Sequence, residues 1–166
     1  MALVLIPLTT TASLPAADAR LTEAEAKASF LYNCALFVQW PGNGSHDELV
    51  VAIMGADRVA EVADSLQGRQ VNGRILRVKV VGPGDDLRHF HIVYVGAGVN
   101  VKAQLMTLRD VPVLTVGESR DFTSTGGVVR LYTDDQRLRF EINMTRVEGA
   151  GLQVSAKMLG LATIVR

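Results

Sequence analysis

The side chains best suited to metal or redox chemistry in this chain are three histidines, His46, His89 and His91, and one cysteine, Cys34. His89 and His91 have the i, i+2 spacing that puts two side chains on one face of a strand, within reach of a single ion. The usual zinc sites need a third and fourth ligand, so the pair alone defines no metal centre. Gly117-Glu118-Ser119 follows an apolar run, where a nucleophile elbow would lie. Arg120 and Asp121 come next, so G-x-S-x-G is absent and the segment reads as a turn with an exposed hydroxyl. Gly96-Ala97-Gly98 also follows an apolar run, but it lacks the third glycine of a dinucleotide fingerprint and the lysine of a phosphate loop. No nucleophile, base and orienting group assemble from these residues. The chain is read as non-enzymatic, with no catalytic residue, cofactor or metal assigned.

Two other groups could carry recognition. Arg137, Arg139, Glu141 and Asn143 alternate along one strand-like stretch and share a face by its period of two. Such a row is either solvated or a recognition ledge at the rim of a sheet. The exposed side of Trp40 is the second candidate, because aromatic and arginine anchors dominate protein interfaces. Lys27 falls between two apolar helical stripes, where its methylenes would follow apolar surface and its amine would pair with Glu23 one turn earlier.

The elements that would position these residues can be read in order. Thr22 and Glu25 form a capping-box pattern, so a helix should start there. Ala24, Ala28, Leu31, Ala35 and Val38 fall on one stripe, with Phe30, Cys34 and Phe37 beside it. Only Glu25, Ser29, Asn33 and Gln39 remain as a polar strip, so contact from two sides is expected. Pro41 should stop the helix near Gln39. Leu49 to Met54 reads as a strand buried on both faces, and Asp57 as the cap of a short helix from Val59 to Leu66. Ile75 to Val81 reads as a strand near a sheet edge. His91 to Val95, an amphipathic Val101 to Leu108 and Val111 to Val116 continue a strand, helix, strand rhythm. Val128 to Tyr132 and Leu138 to Ile142 should pair as a hairpin across Thr133 to Gln136. A short helix after Thr145, an extended Leu152 to Val154 and a helix capped by Ser155 and bearing Met158, Leu159, Leu161 and Ala162 complete the chain. The expected fold is an α/β three-layer sandwich: a mostly parallel mixed sheet, the C-terminal antiparallel hairpin at its edge, and helices on both faces.

Seventeen basic and seventeen acidic residues cancel, which argues against nucleic acid as a partner. With 166 residues, 48% of them hydrophobic, the chain suits a single domain. Residues 1–19, MALVLIPLTTTASLPAADA, read as a signal peptide whose basic start has been lost, leaving one domain over residues 20–166. One cysteine forms no intramolecular disulfide, and Cys34, on the apolar arc, reads as a small buried hydrophobe.

KASFLYNCALFVQWP (Lys27 to Pro41), the stretch from Thr115 to Gly127 with its T-V…F…G-G pattern, and RFEIN (Arg139 to Asn143) resemble the YfiR family. The resemblance runs from about Lys27 to Val165. Lys27, Phe30, Leu31, Tyr32, Asn33, Phe37, Pro41, Gly126 and Gly127 are its structural motif positions. It implies a periplasmic regulator that represses an inner-membrane diguanylate cyclase through the cyclase's periplasmic sensor region. An outer-membrane, peptidoglycan-associated lipoprotein relieves that repression, which ties the family to cyclic-di-GMP signalling and biofilm formation. A homodimer stays open, as does a second role: a small-ligand-binding sensory domain feeding a histidine kinase or transport system. Many relatives carry cysteine where this chain has Phe90 and use disulfides; with Cys34 alone, the resemblance implies that intramolecular redox control is lost here.

Overall fold

The computed structural model describes residues 21–42 and 47–166, so the export-like segment and His46 lie outside the described residues. The first helix, α1 (Glu23–Phe37), opens on the expected capping box. Thr22 Oγ1 accepts from the Glu25 amide at 3.2 Å, and Glu25 Oε2 accepts from the Thr22 amide at 2.7 Å. Lys27, Ala28, Phe30, Leu31, Cys34 and Ala35 are buried, while Ser29 and Asn33 face out. The helix stops at Phe37, two residues before the expected end. Val38 turns extended, and β1 (Val38–Gln39) pairs antiparallel with β9 (Gln153–Val154). The last turn of α1 is therefore tied to the chain entering the final helix.

The remaining strands form one eight-stranded sheet. In chain order the elements are β2 (Glu48–Met54), α2 (Asp57–Ala63), β3 (Gln70–Val71), β4 (Arg74–Val81), β5 (Ile92–Val95), α3 (Lys102–Thr107), β6 (Leu114–Gly117), β7 (Val129–Asp134), β8 (Arg137–Asn143), α4 (Met144–Gly149), α5 (Ala156–Leu159) and β10 (Thr163–Val165). Across the sheet the order is β10-β8-β7-β6-β5-β2-β4-β3. β4, β2, β5, β6 and β7 are mutually parallel, and β7 and β8 form the expected antiparallel hairpin. Its turn is the two residues Asp135 and Gln136, both at positive φ, as a type I′ hairpin requires. Asn72 and Gly73 make the same kind of turn between β3 and β4. At this edge of the sheet, Gln67 Oε1 accepts from the Val78 amide at 2.7 Å and Arg69 O from the Leu76 amide at 2.8 Å, which keeps backbone donors away from other strands.

Some boundaries differ from the sequence pattern. The second helix begins at Asp57 itself, with Ala56 in the cap position and no side-chain bond. Asn143 caps α4 by accepting from the Arg146 amide at 3.1 Å. The last helix ends at Leu159, and Leu161 and Ala162 lead into β10, which lies parallel to β8.

Two apolar cores lie on opposite faces of the sheet. One joins α1 and α2 to Leu49, Val51, Ile53, Tyr94, Val116, Leu131 and Ile142. The other joins α3 to Met54, Val93, Val95 and Phe122. Phe122 is 1% exposed and explains the last glycine of the T-V…F…G-G pattern together with Gly117, which follows its T-V. A Cβ on Gly117 or Gly127 would overlap its ring. Thr115 Oγ1 accepts from the Val128 amide at 2.9 Å and closes the far end of the same loop. Gly127→Ala should therefore destabilise the protein by about 1–3 kcal/mol through overpacking. Phe122→Ala should cost about 3–5 kcal/mol. Because the second change removes the clash made by the first, the double variant should cost less than the sum in urea unfolding; strict additivity would show that Gly127 serves something other than the ring.

Candidate functional site

The first polar constellation sits where α1 meets the C-terminal ends of the parallel strands. Lys27 is only 8% exposed. Its Nζ lies 2.6 Å from Glu23 Oε1, the expected i, i+4 partner, and 2.7 Å from Glu118 Oε2. The Tyr94 hydroxyl, on fully buried β5, donates a short hydrogen bond to the other oxygen of Glu118. Glu118 directly follows β6, in the turn first read as a failed nucleophile elbow; Ser119 beside it is exposed. The arrangement is a clamp: a carboxylate at a strand end receives an ammonium from the helix and a phenol from the neighbouring strand. Burial alone would lower the Lys27 pKa, but the hydrogen bonds to Glu118 and Glu23 outweigh it and leave the ammonium favoured beyond the usual lysine range. Burial first, and the bond to Glu118 second, push the Tyr94 phenol well above its ordinary value. Neither Glu118 nor Tyr94 was singled out by sequence. The signal for them was Lys27 itself, since an amine inside an apolar arc requires a distant carboxylate.

The second constellation is the hairpin row, which divides. Glu141 Oε1 accepts from Thr123 Oγ1 at 2.5 Å, and Oε2 from Arg130 Nη1 at 3.3 Å. Asn143 Nδ2 donates to Thr123 O at 3.2 Å, and Arg146 Nε to Gly126 O at 3.0 Å. Gly126 holds φ +111, a conformation that side chains avoid. Glu141 and Asn143 thus brace the loop over Phe122, whereas Arg137 and Arg139 stay exposed. The period of two placed all four on one face, but it carried no sign of which would be covered by a loop some 20 residues upstream.

The other candidates separate. His89 ends a 3-10 turn, so it shares no strand face with His91; it lies 3.3 Å from Asp86 and is 82% exposed. His91 Nδ1 accepts from the Val50 amide at 3.1 Å. Among the described residues no three histidine, cysteine or acidic side chains are grouped to hold a metal. Trp40, expected to keep an exposed side, is 5% exposed; its indole donates to His91 O at 3.0 Å and meets the His91 ring edge-on. Pro41 is exposed beside it. Phe30 packs on Phe140 with centroids 4.9 Å apart, Tyr32 receives Arg69, and Phe37 receives Lys157. Cys34 is fully buried, and burial drives its thiol far above the ordinary value.

In sheets of this order, ligands settle where the strand sequence reverses, here between β2 and β5. There the Gly55 and Gly96 backbones approach closely, since a Cβ on Gly96 would overlap the Gly55 carbonyl. A cavity of about 380 Å³ opens one strand further on, where Lys102, Ser119 and Asp121 stand above Val101, Leu105 and Phe122.

Two measurements check these placements. Trp40→Ala should cost about 3–5 kcal/mol in urea unfolding followed by circular dichroism, the cost of emptying a core site; a loss under about 1 kcal/mol would return Trp40 to the surface. The clamp sets an alkaline limit. Both folded values are raised, so the stability from neutral Tyr94 and charged Lys27 is complete below their ordinary values of 10.0 and 10.5 and is lost as pH rises through the folded ones. Urea midpoints should fall from about pH 10 upward, and Tyr94→Phe should flatten that fall. An unchanged slope in the variant would remove the phenol from the clamp.

No helix among the described residues is long and apolar enough to cross a membrane. No curated protein matches the chain. A family model described as YfiR/HmsC-like matches residues 24–163, from the first turn of α1 to the start of β10. The span takes in the clamp, the Phe122 loop and the whole hairpin, and the chain belongs to the YfiR/HmsC-like family.

Proposed function

We propose that this chain is a non-enzymatic periplasmic regulator that binds the periplasmic sensor region of an inner-membrane diguanylate cyclase and represses it. It thereby lowers cyclic-di-GMP and restrains biofilm formation. The observation that carries this reading is the family match over residues 24–163. The geometry supports it, because the groups best suited to acid–base chemistry, Lys27, Glu118 and Tyr94, are bonded to one another between a helix and a sheet. The reading takes residues 1–19 as an export signal and 20–166 as one domain. A peptidoglycan-associated outer-membrane lipoprotein serves as the sequestering partner, and self-association into a homodimer belongs to the same reading. Cys34 is buried and Phe90 stands where relatives carry cysteine, so relief of repression here works by sequestration without a disulfide switch.

A second reading, a small-ligand sensory domain feeding a histidine kinase or transport system, is favoured by the cavity beside Lys102 and Asp121. One experiment separates the two. Deleting the gene should raise cyclic-di-GMP and biofilm, and the full chain should restore both, whereas a version lacking residues 1–19 should fail. Cyclic-di-GMP that stays unchanged on deletion would overturn the regulatory reading and leave the sensory one.

A further inference from the structure

Past Glu141 no helix among the described residues packs on the α3-side face of the sheet, and the hairpin register decides what it presents. Arg130 stands opposite Glu141, Tyr132 opposite Arg139 and Asp134 opposite Arg137, so these six side chains project from one face. The Arg130 guanidinium lies 4.7 Å from the centre of the Tyr132 ring. Arg139 stands directly opposite Tyr132 in the register. The tyrosine therefore carries one cation on its ring and faces the strand position of a second, with a third next in the row.

Glu141 pairs with Arg130, and among the described residues the acids on this face leave Arg137 and Arg139 without an ion pair. Both carboxylate oxygens of Glu141 are occupied, by Thr123 and Arg130. Asp134 stands opposite Arg137 in the register, yet no ion pair joins them. Arg130 Nε is buried with no hydrogen-bond partner among the described residues. Arg137 and Arg139 are exposed and make no ion pair among the described residues.

We propose that this face docks an acidic segment of a protein partner, whose carboxylates bridge Arg137 and Arg139 while an adjoining side chain lies on Tyr132. The chemistry favours carboxylates because planar guanidinium forks take them in bidentate fashion, and tyrosine with arginine is the composition of interface hot spots. The charge balance of the whole chain disfavours a polyanion such as nucleic acid, whose affinity grows with the number of cations engaged.

The proposal rests on the regulatory reading, and its test keeps the two apart. The purified chain is titrated calorimetrically with the periplasmic region of its membrane diguanylate cyclase at low and raised salt. The unaltered chain should bind, and more weakly as salt rises. Arg137→Glu combined with Arg139→Glu should weaken binding at least about tenfold. Arg58→Glu, which reverses a single exposed cation on α2, should leave it unchanged, and Arg139→Glu alone, the same change of charge on the docking face, should not. Arg139→Lys keeps the charge but loses the planar fork, so it should fall between the two. Urea midpoints of all variants should match, since the altered side chains are exposed. Failure of the unaltered chain to bind would overturn the regulatory reading and this docking face with it. Binding that survives the double reversal would overturn the docking face alone. Displacement by heparin as effective as displacement by poly-glutamate would mean that bulk negative charge is being read, and would overturn the carboxylate assignment.

Discussion

The ion pair between Lys27 and Glu118 fixes how the longest helix meets the sheet. A 15-residue helix is marginal on its own in water, so α1 owes its stability to packing. Apolar packing constrains rotation loosely, however, because Phe30, Leu31, Cys34 and Ala35 would tolerate small slides along the sheet. An ammonium held at 2.7 Å does not: a shift of one turn would carry Lys27 and Glu23 away together and leave Glu118, largely covered at its strand end, without its cation. Tyr94 adds the third direction by binding the other oxygen of Glu118 from the adjacent strand. The far end of α1 is held by different means, the β1–β9 pairing and the bond from the Ser155 amide to Phe37 O at 2.9 Å. Pinned at both ends, the helix becomes the reference against which α5 and the hairpin are placed.

The loop after β6 shows the same economy of fixed points. Glu118 at its start belongs to the clamp, Phe122 in its middle is the plug of the second core, and Gly126-Gly127 at its end let the chain pass under that ring. Thr123, one residue beyond the plug, ties this path to Glu141 on β8. A segment without helix or strand is thus held from three sides. Glu141 and Asn143, engaged by this loop, leave the outer end of the hairpin to Arg137, Arg139, Tyr132 and Asp134.

What was legible in the sequence was local. The capping box, the buried runs of β2 and β5, the hairpin and the Ser155 cap are short-range patterns whose physics is complete within a few residues. The missed strands β1, β3 and β10 have two or three residues each and take their identity from a partner elsewhere in the chain, whereas β9 was legible as an extended piece. His89 and His91 were paired on the premise of a continuous strand, and the 3-10 turn ending at His89 removes that premise. Trp40 was given an exposed side because it lies outside the helical arc; the helix had already ended, and the indole turned inward to His91. Lys27 and Glu118 are 91 residues apart, a separation that no periodicity reaches.

The close approach of two backbones at the switch point bears on what such a fold can do. In open α/β sheets the crevice between diverging strands is where small molecules gain enclosure, and enclosure is what converts a few polar contacts into affinity. Here Gly55 and Gly96 bring two backbones together at that place, and the carboxylate that follows β6 is spent on a lysine. Among the described residues, Arg137 and Arg139 stay without an ion pair on a strand surface, beside an aromatic ring that carries Arg130. A flat surface encloses little of a small ligand, but it matches the geometry of another protein, whose many shallow contacts and few anchoring charges need area more than depth. The close glycine contact at the switch point and the pairing of Glu118 with Lys27 thus accord with the proposed action through a surface.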